Sequence, residues 1–229
     1  MGIVVEFCGL PGVGKSTIAR AVVAQLRLAG IPAAEVMAPI GPSASSVERL
    51  TRKAGIILRS AGRTDTWRLA TRIGARSAQM DPRDRIARPA NLIVVRSVLA
   101  RARSRPGVQV FDQGPVQEWW SAALRGDSEK VLAWAAADGV TGADLVVRVD
   151  VPLDAVLDRL NRRAGTQSRL EAPRTTTARV ELERGEALLD ALCSQLVHSH
   201  GTQRPRLIRV DGIDSAAGEI VGEAIAELR

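Results

Sequence analysis

Eight residues have the types and spacing to hold a phosphate: Gly9 to Ser16, GLPGVGKS, match G-x-x-x-x-G-K-[ST] at every defined position. Glycines at 9, 12 and 14 keep the turn bare of side chains, so its backbone N–H groups can point inward around a β-phosphate; Pro11 and Val13 complete the loop. Lys15 has the length to reach β- and γ-phosphate oxygens, Ser16 can place its hydroxyl on Mg²⁺, and Thr17 is a further donor. A helix starting behind them would add the partial positive charge of its N-terminus. A glycine turn that merely joins strand to helix would explain one or two of the glycines, but not the Lys-Ser pair.

The elements that must position these residues follow from periodicity. IVVEFC at 3–8 is a short continuous run rich in β-branched residues, the pattern of a strand buried on both faces of a parallel sheet. GKSTIARAVVAQLRLAG then predicts a helix, with Ile18, Val22, Leu26 and Leu28 near helical spacing and a stop at Gly30. IPAAEVMA predicts a second strand, followed by the turn-rich PIGPSASS. Residues 47–104 predict two or three helices interrupted around Gly62 and at DPRD. VQVFD at 108–112 and ADLVVRVDVP at 143–152 predict buried strands, with helices in GPVQEWWSAALRG and SEKVLAWAAADG between them. PLDAVLDRLNRR opens on a proline at a helix start, and TTTARVELERGEALLDALCSQLV predicts a long helix that tolerates Gly185. RLIRVD is the last strand and DSAAGEIVGEAIAEL the closing helix. Five short strands alternating with helices predict an α/β fold on a parallel sheet, and 1–229 is expected to be one domain without repeats or linkers.

Asp112 ends a predicted strand, where proteins with this phosphate loop place a carboxylate that holds Mg²⁺ directly or through water; the alternative is a cap on the following helix. Asp150 also ends a strand, but it precedes Pro152 and a helix start, so capping is expected there. RLNRRAGTQSRLEAPR, residues 159–174, gathers Arg159, Arg162, Arg163, Arg169 and Arg174 in a Gly/Ser/Thr-containing stretch between helices. Arginine forks match phosphate oxygens, and such a segment could bring them over a γ-phosphate after substrates bind; the alternative is a solvated, salt-bridged loop.

With these motifs in this order, the sequence resembles the thymidylate kinase branch of the nucleoside monophosphate kinase superfamily over almost its whole length. The resemblance rests on the N-terminal phosphate loop, the aspartate after a mid-chain strand, and RLNRRAGTQSRLE at 159–171, which keeps three arginines and the glutamate of that branch's lid, with Ser168 where its aspartate would be. It implies a P-loop NTPase three-layer sandwich with a five-stranded parallel sheet, a helical acceptor-binding region at about 41–105 and an arginine-rich lid at about 159–175. It also implies transfer of the γ-phosphoryl of MgATP, with Lys15, Asp112, Arg159, Arg163 and Arg169 in catalytic roles, and a possible homodimer. The departures fall on the acceptor side: Pro11 replaces an aspartate, Cys8 stands where a glutamate is usual, MAPIGP replaces Arg-Glu-Pro-Gly-Gly, and Asp112-Gln113-Gly114 replaces Asp-Arg-aromatic. FDQGPVQEWWSAAL is similar to a motif of other P-loop kinase-like proteins, which places Gln113 and Gln117 toward the acceptor; neutral amides suit hydroxyls or base edges better than phosphate.

Composition bounds the rest. Residues 48–105 hold fifteen Arg/Lys against four Asp/Glu and carry the net charge of +7. That potential attracts a phosphorylated small molecule, a nucleic acid or an acidic protein; the alternative is a genomic bias, since Arg outnumbers Lys about tenfold and Tyr is absent. Arg76, Arg85, Arg88 and Arg96 lie where the superfamily binds its acceptor. Trp67, Trp119, Trp120 and Trp134 could stack on a ring or simply pack. His198 and His200 are too few for a metal site and are expected at the surface, whereas Cys8 and Cys193 are expected as small buried thiols. No apolar run approaches the roughly 20 residues of a membrane span, no basic leader opens the chain, and a cytoplasmic location is expected. The expected activity is that of a small-molecule kinase, with a polynucleotide kinase or a regulatory ATPase binding a protein partner as the alternatives. The lack of N-K-x-D argues against a GTPase.

Overall fold

The strand β1 (Ile3–Cys8) lies at the centre of a five-stranded, all-parallel sheet, in the order β2 (Ala33–Glu35), β3 (Val108–Phe111), β1, β4 (Leu145–Asp150), β5 (Arg206–Asp211). The computed structural model describes residues 2–38, 45–79, 81–162, 176–198 and 204–229. Val4, Val5, Phe7 and Cys8 are fully buried, as a strand covered on both faces requires. In register, Ile3 lies opposite Val108 and Glu6 opposite Phe111, so β1 and β3 end side by side.

Two groups of helices complete a three-layer α/β sandwich. α1 (Lys15–Leu28) packs on α9 (Ala217–Ala226). The other group contains α4 (Pro82–Arg103), α5 (Pro115–Arg125), α6 (Ser128–Asp138) and α8 (Thr176–His198). α2 (Ser46–Arg59) and α3 (Thr64–Arg76) pack on α4, while α7 (Leu153–Arg162) packs on α8. The breaks expected at Gly62 and DPRD fall between α2, α3 and α4. α4 starts at Pro82 behind the cap Asp81, whose Oδ1 accepts the Arg83 N–H at 2.7 Å. Among the described residues, no helix is long and apolar enough to cross a membrane.

Candidate active site

The loop after β1 turns into α1 at Gly14, whose φ of 101° is a left-handed conformation that glycine adopts at no steric cost. Lys15 is buried at the first helical position and folds back over the loop, its Nζ donating to the carbonyls of Gly9 at 2.9 Å and Leu10 at 2.8 Å. One residue on, Ser16 Oγ donates to Asp112 Oδ2 at 2.9 Å. This contact spans 96 residues and exists because β3 pairs with β1, which brings both strand ends to the same edge of the sheet. Asp112 thus meets the first turn of α1 behind the phosphate loop, while α5 begins after Gly114 without a side-chain cap from that residue.

A second carboxylate joins it. Glu35 ends β2, opposite Val110 of β3. Burial and then the neighbouring Asp112 charge push its carboxyl above the ordinary range, against the pull of the Arg20 guanidinium. Arg20 lies one helical turn beyond Ser16 and donates Nε to the Ser16 carbonyl at 2.9 Å. The sequence motifs had passed over Glu35; its signal was a carboxylate at the C-terminal end of a parallel strand, the edge where open α/β sheets bind ligands.

Glu6 was likewise passed over, hidden in an apolar strand. It is fully buried, accepting the Val116 N–H on Oε1 at 2.6 Å and the Thr141 hydroxyl on Oε2 at 2.5 Å. Gly114, which precedes α5, supplies no side-chain cap, so Glu6 serves that helix from across the core. Burial raises its pKa to about 8, against the lowering effect of these hydrogen bonds.

Arg159 lies behind the loop. It donates Nη1 to the carbonyls of Gly12 and Val13 at 3.3 Å each, and Nη2 to Gly212 at 3.4 Å, tying the phosphate loop to the turn after β5. Arg163 and Arg169 fall outside the described residues, as does the rest of the expected lid from 163 to 175. Gln117 is buried and accepts the Gly9 N–H at 3.4 Å, so its amide braces the start of the loop, whereas Gln113 is exposed.

Comparison with solved structures gives full-length matches. A deoxyadenosine kinase from M. mycoides with bound dATP aligns with TM-score 0.57 at 13% identity, covering 98% of this chain and 99% of the other. Its structure with the products dCMP and a flexible dCDP aligns with TM-score 0.55 at 11% identity, covering 99% and 100%. The chain shares the fold of these structures. No family model matches the chain, and no curated protein matches it.

On this scaffold the remaining expectations meet mixed outcomes. Asp150 does not act as the expected helix cap: it accepts from the buried Arg148 Nε at 2.7 Å, and Arg148 also reaches Asp190 on α8 at 2.5 Å. Trp119 and Trp120 are buried in the core, and the Trp120 indole N–H donates to the Gly185 carbonyl at 2.7 Å. Trp67 donates to the Ser60 carbonyl, and Trp134 lies beneath the Arg72 guanidinium at 5.9 Å, so packing and local contacts account for all four. In the helical region Arg88 pairs with Asp84 at 3.2 Å and lies 3.9 Å from Glu118, while Arg96 pairs with Asp138. Arg76 and Arg85 are exposed. Cys8 and Cys193 are both buried, and their thiols meet at the base of the phosphate loop, an approach that their sequence separation hid.

Proposed function

We propose that this chain is an ATP-dependent phosphotransferase that moves the γ-phosphoryl of MgATP to a hydroxyl of a small acceptor, a nucleoside, nucleotide or related polyol. The observation that carries the reading is the 2.9 Å contact from Ser16 Oγ to Asp112 Oδ2 at the mouth of the loop, with the Glu35 carboxyl beside it. A connecting turn needs neither group there. The solved structures of similar fold, which are deoxyadenosine kinases, support a nucleoside as the acceptor class.

The Ser16 hydroxyl and the Asp112 carboxylate are oxygen donors, which suit Mg²⁺, a hard cation that takes its remaining oxygens from water and phosphates. Bound there, Mg²⁺ would neutralise charge on the β- and γ-phosphate oxygens. Lys15 exchanges its two carbonyl contacts for charge-assisted bonds to the phosphates, a gain because the acceptor oxygens are then ionised. Glu35 takes the proton of the acceptor hydroxyl as its oxygen bonds to the γ-phosphorus and the bond to the β,γ-bridging oxygen breaks. Its raised basicity suits that task. Arg159 holds the loop in shape from behind, and Arg163 and Arg169 serve the transferring phosphoryl from the lid. Catalysis is mainly positioning and electrostatic stabilisation.

The test is transfer from γ-labelled ATP with Mg²⁺ to a panel of nucleosides, nucleoside monophosphates, sugars and oligonucleotides, with Lys15→Ala as the blank. A labelled small product absent from the blank supports the reading and names the acceptor class. Label on oligonucleotide alone would reassign the chain to polynucleotide ends. ATP binding without any labelled acceptor would favour a regulatory ATPase.

A further inference from the structure

A cavity of about 460 Å³ lies between α2 and the C-terminal half of α4, with Arg52, Arg59, Arg101 and Arg105 around it. Its apolar lining comes from Val36, Ile56 and Val98. The volume falls within the roughly 300–1,000 Å³ of small-molecule sites. Arg52 and Arg59 are seven residues apart and so share one face of α2, and Arg101 and Arg105 flank the last turn of α4. No carboxylate is among the described lining residues. All four arginines are exposed at the rim.

The bland explanation is helix electrostatics, since a cation in a last turn offsets the negative end of the helix dipole. It accounts for Arg59 and Arg101, and the Glu48 carboxylate one turn back attracts Arg52, but neither accounts for Arg105 beyond the end of α4 or for the gathering of all four around one cavity. Other basic residues of the same segment face away from this cavity: Arg88 pairs with Asp84, Arg96 with Asp138, and Arg103 donates to the Gly142 carbonyl at 2.7 Å. Gly55 opens the wall further. A Cβ there would meet nothing closer than Arg59 Nη1 at 3.9 Å, and glycine inside a helix costs roughly 0.5–1 kcal/mol relative to alanine.

We propose that this cavity is a second anion site, separate from the phosphate loop, which binds a phosphate-bearing small molecule of nucleotide size. The arginine forks take the phosphate oxygens, and Val36, Ile56 and Val98 take a flat apolar group. Its lining shares no residue with 9–17, Glu35 or Asp112. Val36 nevertheless follows Glu35 directly and donates its N–H to the Val110 carbonyl at 2.9 Å, so an occupant touches the strand that carries Glu35. A nucleic-acid backbone would also be attracted by the charge. A bounded cavity with an apolar wall fits a small molecule better than a continuous strand.

The test is binding and does not depend on phosphoryl transfer. Calorimetry on the full chain uses inorganic tripolyphosphate, ATP and a short single-stranded oligonucleotide as probes, against Lys15→Ala and the pair Arg59→Glu with Arg101→Glu. The expected result is two equivalents of ATP per chain, of which the arginine pair loses one. Tripolyphosphate should bind Lys15→Ala still, and at least tenfold more weakly when the arginine pair is added to it. A circular-dichroism melt checks folding, and Arg59→Gln with Arg101→Gln replaces the charge reversals if they unfold. The proposal is overturned by a single ATP equivalent that Lys15→Ala abolishes and the arginine pair leaves unchanged. It is equally overturned if the oligonucleotide binds through these arginines while neither ATP nor tripolyphosphate does.

Discussion

Glu6 Oε1 accepts the Val116 N–H at 2.6 Å across 110 residues, a buried carboxyl capping a helix whose own Gly114 cannot. Its pKa is raised by burial from 4.5 to about 8, so the folded protein holds this proton more tightly than the unfolded chain. The group's contribution to stability is therefore complete below 4.5 and is lost as pH rises to about 8. The loss should approach roughly 1.4 kcal/mol per pH unit within that window. Glu6→Gln keeps an acceptor for Val116 and removes the titration, while the acceptor that Thr141 uses becomes an amide N–H to which the Thr141 hydroxyl can turn its own oxygen. Urea unfolding at several pH values should then show a flatter profile for Glu6→Gln than for the parent. Glu6→Leu should lose about 1–3 kcal/mol throughout, because the Val116 N–H is left unsatisfied. Equal slopes for parent and Glu6→Gln would show that another group titrates.

Ser16 and Asp112 should act as one unit. Ser16→Ala and Asp112→Asn are each expected to slow phosphoryl transfer by about 10²-fold or more, and the double variant by much less than the product of the two. Their Mg²⁺ requirement should rise together. Titrating Mg²⁺ in steady-state assays checks this, and multiplicative losses would separate the two residues.

Glu35→Gln removes a base without removing bulk. Loss of kcat by about 10²–10⁴-fold is expected, with ATP affinity within about twofold of the parent. Single-turnover rates against pH provide the check. A parent rate that falls as Glu35 becomes protonated, and a variant rate that does not, would identify the base. An unchanged kcat would remove Glu35 from the chemistry.

The turn after β5 has to touch the phosphate loop. A Cβ on Gly212 would lie 2.2 Å from the Val13 carbonyl oxygen, a backbone atom that can move only with the loop. Gly212→Ala should weaken nucleotide binding at least tenfold while the far-UV spectrum stays that of the parent. Arg159→Ala removes the three donors that join Gly12, Val13 and Gly212, and about 1 kcal/mol of stability should go with them, since the contacts are long. Arg159→Lys should rescue little, because a point charge cannot span the fork. Nucleotide titration by fluorescence, paired with thermal melts, separates the two effects.

Much of this protein was legible in its residues because the signals are local. GLPGVGKS states its own backbone chemistry, while continuous runs of β-branched residues marked the strands and helical spacing marked most of the helices of the described chain. Fifteen basic residues in one segment marked where positive charge concentrates, although not which of them converge.

What tertiary structure alone decided are the meetings of residues distant along the chain, because pairing order and helix packing leave no local trace. The order β2-β3-β1-β4-β5 set Asp112 on Ser16 and Glu35 beside Asp112. Core packing turned Glu6 from a blemish in an apolar strand into the cap of α5, and Asp150 from an expected cap into a partner of Arg148. The sequence determined which chemistry the chain carries. The sheet order, fixed by burying both faces of five short strands, decided which residues could carry it out together.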